Sequence, residues 1–355
     1  MRWIQDLLDT TSDSYTDRYD PEREVIGLDI GAGASCIYSL LACSTRPRWH
    51  MLGTEVDQHS LDFARQNVKA NNFESRVRLA RTTIESPLIP LDAMNLDELD
   101  FVMCNPPFYS SHDDMLASYG AKEKPPSAVC TGSESEMTCP GGDVGFVTRI
   151  LEESQKLRER VQWYSSMFGR LASVQQIVAK LKEHRITNFA VTNLKAGQKT
   201  RRWAVAWSFQ DYRPKNEIAR HGELVLALLP PATEWTIAVP DLDAAMAGGK
   251  IDATIAALDI RWQWRPNIYT GVAFARENVW SRAARRKKKL VDVKMEDGKV
   301  VGQEESEDEE ENVALAVKVV CSNKKVDLRW LRGQDHVMFE SFCGLLKRAL
   351  GARSG

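Results

Sequence analysis

The segment Glu24-Val25-Ile26-Gly27-Leu28-Asp29-Ile30-Gly31-Ala32-Gly33-Ala34-Ser35 constrains the fold more than any other stretch. A short apolar run is followed by an acid, a Gly-x-Gly turn and a new apolar pattern at Ile37, Leu40 and Leu41. The run reads as a buried strand and the pattern as a helix. Gly31 and Gly33 let the backbone reverse tightly and approach a ligand closely. A strand that turns directly into a helix is the first half of a βαβ unit, so a second, parallel strand must follow. A dinucleotide fingerprint would want a third glycine where Cys36 stands, which lowers that reading.

The pattern then repeats. His50 to Asp57 reads as a second strand whose tip carries Glu55, placed to accept the ribose hydroxyls of a nucleoside. Asp57 reads as the cap of a helix bearing Leu61, Ala64 and Val68. Arg76 to Ala80 gives a third strand, with Thr82 and Thr83 after it in a loop suited to an adenine ring. Asp100 to Cys104 gives a fourth, and it ends at Asn105-Pro106-Pro107-Phe108. Upstream, Trp3, Ile4, Leu7 and Leu8 have helical spacing over residues 2 to 9, followed by a polar loop to residue 23.

The two prolines cannot continue a ladder, and each holds its predecessor extended. The chain must leave the sheet there. The Asn105 side-chain carbonyl and the Pro106 main-chain carbonyl then point to one spot, with Phe108 beside them. Two acceptors and an aromatic face suit a planar group bearing an NH2, such as adenine. In an open parallel sheet, ligands bind beyond the carboxyl ends near the reversal of strand order. The Gly turn, Glu55 and the Asn-Pro-Pro-Phe turn would therefore share one crevice.

Residues 109 to 145 form a long polar insertion, read as a substrate lid or a disordered segment. Gly145 to Leu157 is a helix, Val161 to Met167 a strand, Leu171 to His184 a helix and Thr187 to Thr192 a strand. Lys195, Lys199, Arg201 and Arg202 cluster before the last strand, Trp203 to Phe209. These cations fit nucleic-acid phosphates or a solvated loop equally well. Beyond about Pro214 the pattern changes. Strands are expected at Glu223 to Leu229, Trp235 to Val239, Ile260 to Trp264 and Gly271 to Ala275, with a helix at Leu242 to Leu258. A hairpin at Val313 to Cys321 and Lys325 to Leu331 and a helix at Val337 to Leu350 complete a small α+β module.

The whole is expected to be an α/β chain with a Rossmann-like, mostly parallel seven-stranded sheet over residues 1 to 214. The smaller module spans 215 to 355, with a disordered charged insert about 290 to 312. Within it, Arg282, Arg285, Arg286 and Lys287 to Lys289 are basic, and Glu304 to Glu311 is almost wholly acidic. The basic run fits RNA binding, nuclear import or plain solvation. The 355 residues are 43% hydrophobic with a net charge of −2, so a large core is available and bulk charge selects no partner. The seven scattered cysteines form no paired framework, which points to reduced thiols inside a cell. No stretch reads as a membrane span or a signal peptide. The six histidines, His50, His59, His112, His184, His221 and His336, sit at no ligand spacing, so no metal is expected. Ser35 has no visible partners for a hydrolase triad.

Asp29-Ile30-Gly31-x-Gly33 resembles the first motif of S-adenosylmethionine-dependent methyltransferases. The matching runs extend it. They are Trp3-Ile4-Gln5-Asp6-Leu7, Asp29 to Tyr38, Thr54-Glu55-Val56-Asp57, Met103 to Phe108, Trp163 to Met167 and Arg202 to Phe209. Together they are similar to the U6 small nuclear RNA adenine-N6 methyltransferase family, related to bacterial large-subunit ribosomal RNA adenine-N6 methyltransferases. The resemblance implies S-adenosyl-L-methionine as cofactor, with Gly31, Ser35, Glu55, Thr83 and Asn105 in contact with it or at its edge; Asp29 and Gly33 of the glycine-turn segment are further candidates for holding it. It implies catalysis at Asn105, Pro106, Pro107 and Phe108. RNA with an unpaired adenine would meet Phe108, Tyr109, Lys199, Arg201, Arg202, Arg285 and Arg286. The nucleus is the expected compartment, with the cytoplasm as a second. Some eukaryotic relatives carry an accessory RNA-binding module after the catalytic domain.

The chain departs from the family in three ways. The family has chain ahead of the first helix, with an arginine near the cofactor and basic residues that grip RNA, whereas this sequence starts on that helix; either it is truncated or those contacts come from elsewhere. Tyr109 stands where a second Phe is common. Cys130 and Ser133 replace an Asn and a Gly of the lid motif. Two other readings stay open: a protein glutamine N5-methyltransferase, because Asn-Pro-Pro-aromatic also serves that amide, and a non-catalytic RNA-binding protein on this fold.

Overall fold

The computed structural model describes residues 1–111, 113, 138–196, 200–221, 223–281, 284 and 313–352, and only the backbone of 195, 196, 200 and 201. The expectations at Cys130, Ser133, Lys199, Arg282, Arg285, Arg286, the lysines after them and the acidic run fall outside these residues. So do the side chains of Lys195 and Arg201. The chain divides into two compact units, Met1–Gln210 with Glu217–Pro230, and Asp211–Asn216 with Pro231–Gly355.

In the first unit β1 (Val25–Ile30), β2 (Trp49–Glu55), β3 (Val77–Arg81), β4 (Leu99–Cys104) and β5 (Val161–Phe168) are parallel. β6 (Phe189–Ala196) and β7 (Thr200–Trp207) close the sheet, with β7 antiparallel to both β5 and β6. The strand order is β3-β2-β1-β4-β5-β7-β6, so the order reverses between β1 and β4. β1 and β4 are buried on both faces, as central parallel strands must be. Gly27 on β1 is a packing requirement: a Cβ there would lie 2.1 Å from the Phe101 ring on β4.

Helices cover both faces. α1 (Arg2–Thr10), α2 (Ile37–Thr45) and α3 (Gln58–Ala70) pack on one core, with Leu7, Ala42 and Ala64 against Met51, Phe101 and Trp163. α4 (Gly142–Leu157) and α5 (Leu171–Glu183) pack on the other, with Ile150 and Ile177 against Leu28, Val102 and Trp207. Asp57 caps α3 as expected, accepting from the Ser60 N–H at 2.7 Å.

Two expectations fail. The apolar face predicted for α2 is only in part the buried one: Leu40 is half-buried against the core, but Ile37 and Leu41 are exposed, and Ser39, Ala42 and Cys43 are buried. Small side chains let α2 sit close to the sheet, which bulky ones would prevent. Glu223 to Leu229 is not a strand but contains a 3-10 turn at Leu226–Leu228, and it belongs to the first unit. Val225 and Leu226 are exposed there, so no alternating face exists to bury.

The second unit is a five-stranded antiparallel sheet in the order β8-β12-β11-β10-β9. Its strands are β8 (Glu234–Ala238), β9 (Arg261–Arg265), β10 (Thr270–Ala275), β11 (Leu315–Ser322) and β12 (Lys325–Arg332). α6 (Ala244–Ala256) and α7 (His336–Ala349) cover one face through Ile251 and Phe342 on Val317, Val319 and Leu328. The alternation on β11 and β12 sends Lys318, Lys325 and Arg329 to the other face. No described helix is long and apolar enough to cross a membrane, and no cluster of metal-ligating side chains occurs among the described residues.

Candidate active site

Register alone brings the expected residues together. Ile30, the last residue of β1, pairs with Thr54 on one side and Cys104 on the other. Gly31, Glu55 and Asn105 are the next residues of three adjacent strands. With strands spaced about 4.8 Å apart, Glu55 and Asn105 stand roughly 10 Å apart across the glycine turn. That is the span of a nucleoside with its substituent. The Thr82 N–H donates to the Glu55 carbonyl, so the loop after β3 continues the row.

The floor is open. Gly31 has φ +71° and a Cβ there would meet nothing within 4 Å. Gly33, at φ +63°, donates its N–H to Glu55 Oε2 at 2.9 Å. Glu55 Oε1 accepts from the N–H groups of Val56 and Asp57 at 2.8 and 2.9 Å. Three of the four lone-pair directions of this buried carboxylate are used, leaving one for a ribose hydroxyl. Cys36, at the position of the absent third glycine, is left-handed all the same, with φ 50°. The turn demands that backbone whichever residue stands there.

Asp29 is 1% exposed and neither of its oxygens has a hydrogen-bond partner. Burial, and then the nearby Glu55 carboxylate, push its pKa up to about 7. A buried, unpartnered carboxyl next to an open glycine turn has the chemistry to suit a cation. S-adenosylmethionine carries an ammonium, a ribose and an adenine, and the donor and acceptor set here fits that group.

The end of β4 leaves the ladder as the prolines require. Pairing with β5 stops at Val102–Tyr164, and the Ser165 hydroxyl donates to the Val102 carbonyl at 2.9 Å. The Ser166 hydroxyl makes a longer contact, 3.5 Å, to the Cys104 carbonyl. Asn105 emerges exposed, followed by buried Pro106 and half-buried Pro107, Phe108 and Tyr109. The Arg202 guanidinium lies over the Phe108 ring, 5.3 Å from its centroid. Tyr109 bridges to Thr138, and the Cys139 N–H donates to the Tyr109 carbonyl at 3.0 Å, so both ends of the insertion meet at the site.

Ser35 and Thr83 are exposed on loops around the crevice. Thr83 is occupied locally with Ser86, their hydroxyls 3.0 Å apart. Sequence reasoning missed Glu153 on α4. Its two oxygens accept from the N–H groups of Leu88 and Ile89, both at 2.9 Å, and so hold the loop that follows Thr83. Arg149, one turn earlier, donates to the Ile84 carbonyl at 3.1 Å. In sequence both look like ordinary charges on a surface helix.

A family model described as RNA methyltransferase matches residues 1–211. The U6 small nuclear RNA (adenine-(43)-N(6))-methyltransferase of Schizosaccharomyces pombe is 36% identical over 99% of this chain and 84% of its own length. Human RNA N(6)-adenosine-methyltransferase METTL16 is 36% identical over 59% of this chain, which spans 37% of that protein. The crystal structure of the human METTL16 catalytic domain with a MAT2A 3′UTR hairpin superposes with a TM-score of 0.51 and 33% identity, covering 59% of this chain and 68% of that one. With its glycine turn, its Asn-Pro-Pro-Phe tip and a family match over residues 1–211, the chain belongs to the RNA methyltransferase family.

Proposed function

We propose that this protein methylates N6 of an unpaired adenosine in structured RNA, with S-adenosylmethionine as donor and U6 small nuclear RNA as substrate. The observation that carries the reading is the adjacency of Gly31 and Asn105 at the tips of β1 and β4, where the strand order reverses. The relative that matches nearly the whole chain supports the choice of RNA. A nuclear site of action follows from that substrate.

The cofactor supplies an electrophilic methyl group on a sulfonium. The protein's part is to hold and orient. Asp29 and Glu55 take the cofactor's ammonium and one ribose hydroxyl, and Gly31 leaves room for it. Asn105 Oδ1 and the Pro106 carbonyl accept the two N6–H bonds of adenine. The N6 lone pair is delocalised into the ring, and these two bonds draw it toward tetrahedral geometry. No strong base is required, because the N6 proton becomes acidic on transfer and passes to water beside the exposed Asn105. Orientation of two reactants supplies about 7–11 kcal/mol in well-placed pairs. Stacking of the base near Phe108 adds roughly 1–3 kcal/mol. The adenine must be flipped or unpaired to reach this turn, which favours loops and bulges.

The second unit is proposed to add affinity for RNA. Half-buried Lys318 and exposed Lys325 lie on its helix-free face, Lys325 paired there with Asp327 at 2.7 Å, while Arg329 beside Lys318 is buried. The test is transfer of a labelled methyl group to total cellular RNA followed by nucleoside analysis. N6-methyladenosine carrying the label is expected. Label found only in protein refutes the reading.

A further inference from the structure

Phe108 sits in a slot built from two glycine turns. A Cβ on Gly169, just after β5, would lie 3.1 Å from Phe108 Cδ1. A Cβ on Gly142, the first residue of α4, would lie 3.3 Å from the Phe108 carbonyl oxygen and 3.5 Å from the Ser110 nitrogen. Gly169 therefore backs the ring, and Gly142 backs the main chain. The two turns are far apart in sequence, and one side chain ties them together.

That side chain is Asp143. It is 6% exposed, in the first turn of α4. Its Oδ1 accepts from the Ser173 hydroxyl at 2.8 Å, in the first turn of α5. Its Oδ2 accepts from the Gly169 N–H at 3.4 Å. Asp143 thus lies between two helix N-termini, where a carboxylate is favoured by both dipoles. Asp143 follows Gly142 directly in the chain, so its bonds to Ser173 and to the Gly169 N–H hold one glycine turn against the other and set the width of the slot.

We infer that Asp143 is a positioning residue for methyl transfer, acting through Gly169 and Gly142 on Phe108. It never touches substrate. It sets the angle of the ring on which the acceptor base stacks, and with it the Asn105–Pro106 turn three residues earlier. The inference rests on the proposed RNA methyltransferase activity. A ring free to tilt would misplace the base, and a misplacement of about 1 Å costs up to 10²-fold in rate.

Asp143→Asn is the decisive variant. It keeps the volume and an acceptor for Ser173, but it presents an amide NH2 to the Gly169 N–H. Two readouts are taken on the full chain. The first is the fluorine NMR signal of 4-fluorophenylalanine incorporated at position 108. One resonance is expected with Asp143, and a shifted or multiple resonance with Asp143→Asn. The second is steady-state transfer to cellular RNA. A fall in kcat of roughly 10–100-fold is expected, with KM for S-adenosylmethionine unchanged. Gly169→Ala, which pushes a methyl group directly at the ring, is expected to reproduce both effects.

An unchanged resonance with unchanged kcat overturns the inference. So does a changed resonance with unchanged kcat, because the slot would then be structural only. Should the unaltered protein transfer no methyl to RNA, the proposed function fails. The resonance still decides whether Asp143 holds Phe108.

Discussion

Asp29 and Glu55 are buried carboxylates within electrostatic reach of each other at the ends of two adjacent strands, and they are treated unequally. Glu55 accepts three backbone N–H bonds, whereas Asp29 accepts none. Burial first, and Glu55 second, raise the Asp29 pKa to about 7. The ligand-free protein therefore holds a proton on Asp29 over a pH range in which the unfolded chain has lost it. Stability falls as pH rises from about 4 to about 7 and is flat above, by roughly 4 kcal/mol at most. Asp29→Asn is expected to remove this slope and to stabilise the ligand-free protein at pH 8. Chemical denaturation at pH 5, 6, 7 and 8 measures it, and a slope that survives the substitution contradicts the assignment.

The same proton links to cofactor binding. An ammonium set against Asp29 selects the ionised form, so S-adenosylmethionine affinity is expected to rise with pH up to about 7 and then level. Binding below pH 7 should release a proton. Calorimetry in two buffers of different ionisation enthalpy reads that release directly. Equal heats in both buffers would exclude the linkage.

Asn105→Ala removes one of the two proposed acceptors for the adenine amine. Asn105 is exposed at a strand tip, so the fold has little to lose. Transfer is expected to drop by about 10²–10³-fold or more, the cost of deleting one group aimed at the reacting centre. The thermal midpoint should stay within a degree or two, as for surface changes. Single-turnover assays beside a thermal melt check both halves.

Glu153→Ala unties the loop after Thr83. It removes the acceptor of two consecutive backbone N–H groups, each bond worth roughly 1.5–3 kcal/mol when charged. KM for S-adenosylmethionine is expected to rise several-fold while kcat holds. Amide exchange at Leu88 and Ile89 should quicken. Unaltered cofactor affinity would show that the loop does not touch the cofactor.

Gly27→Ala tests the core beneath the site. The new methyl group would lie 2.1 Å from the Phe101 ring, between two central strands with no room to separate. Overpacking of this kind costs about 1–3 kcal/mol or more. A lowered denaturation midpoint is expected, and the effect should shrink with Phe101→Leu in the same chain.

What the sequence determined by itself was the backbone grammar and the chemistry at strand tips. Apolar runs ended by Gly31, Glu55 and Asn105 are local facts, and alternation of strand and helix leaves few ways to stack them. Parallel pairing then aligns the tips without further information. Helix α3 was legible for the same reason, since Asp57 and Ser60 are neighbours in the chain. Only the tertiary structure decided which face of α2 is buried, because Ala42 and Ile37 are both apolar and only the sheet's closeness chooses between them. It also decided that Glu153 reaches back 65 residues to Leu88, and that Asp143 joins Gly169 to the Phe108 turn. A charge on a helix carries no local mark of its partner. Such contacts arise only once the sheet has set the distance between elements far apart in sequence.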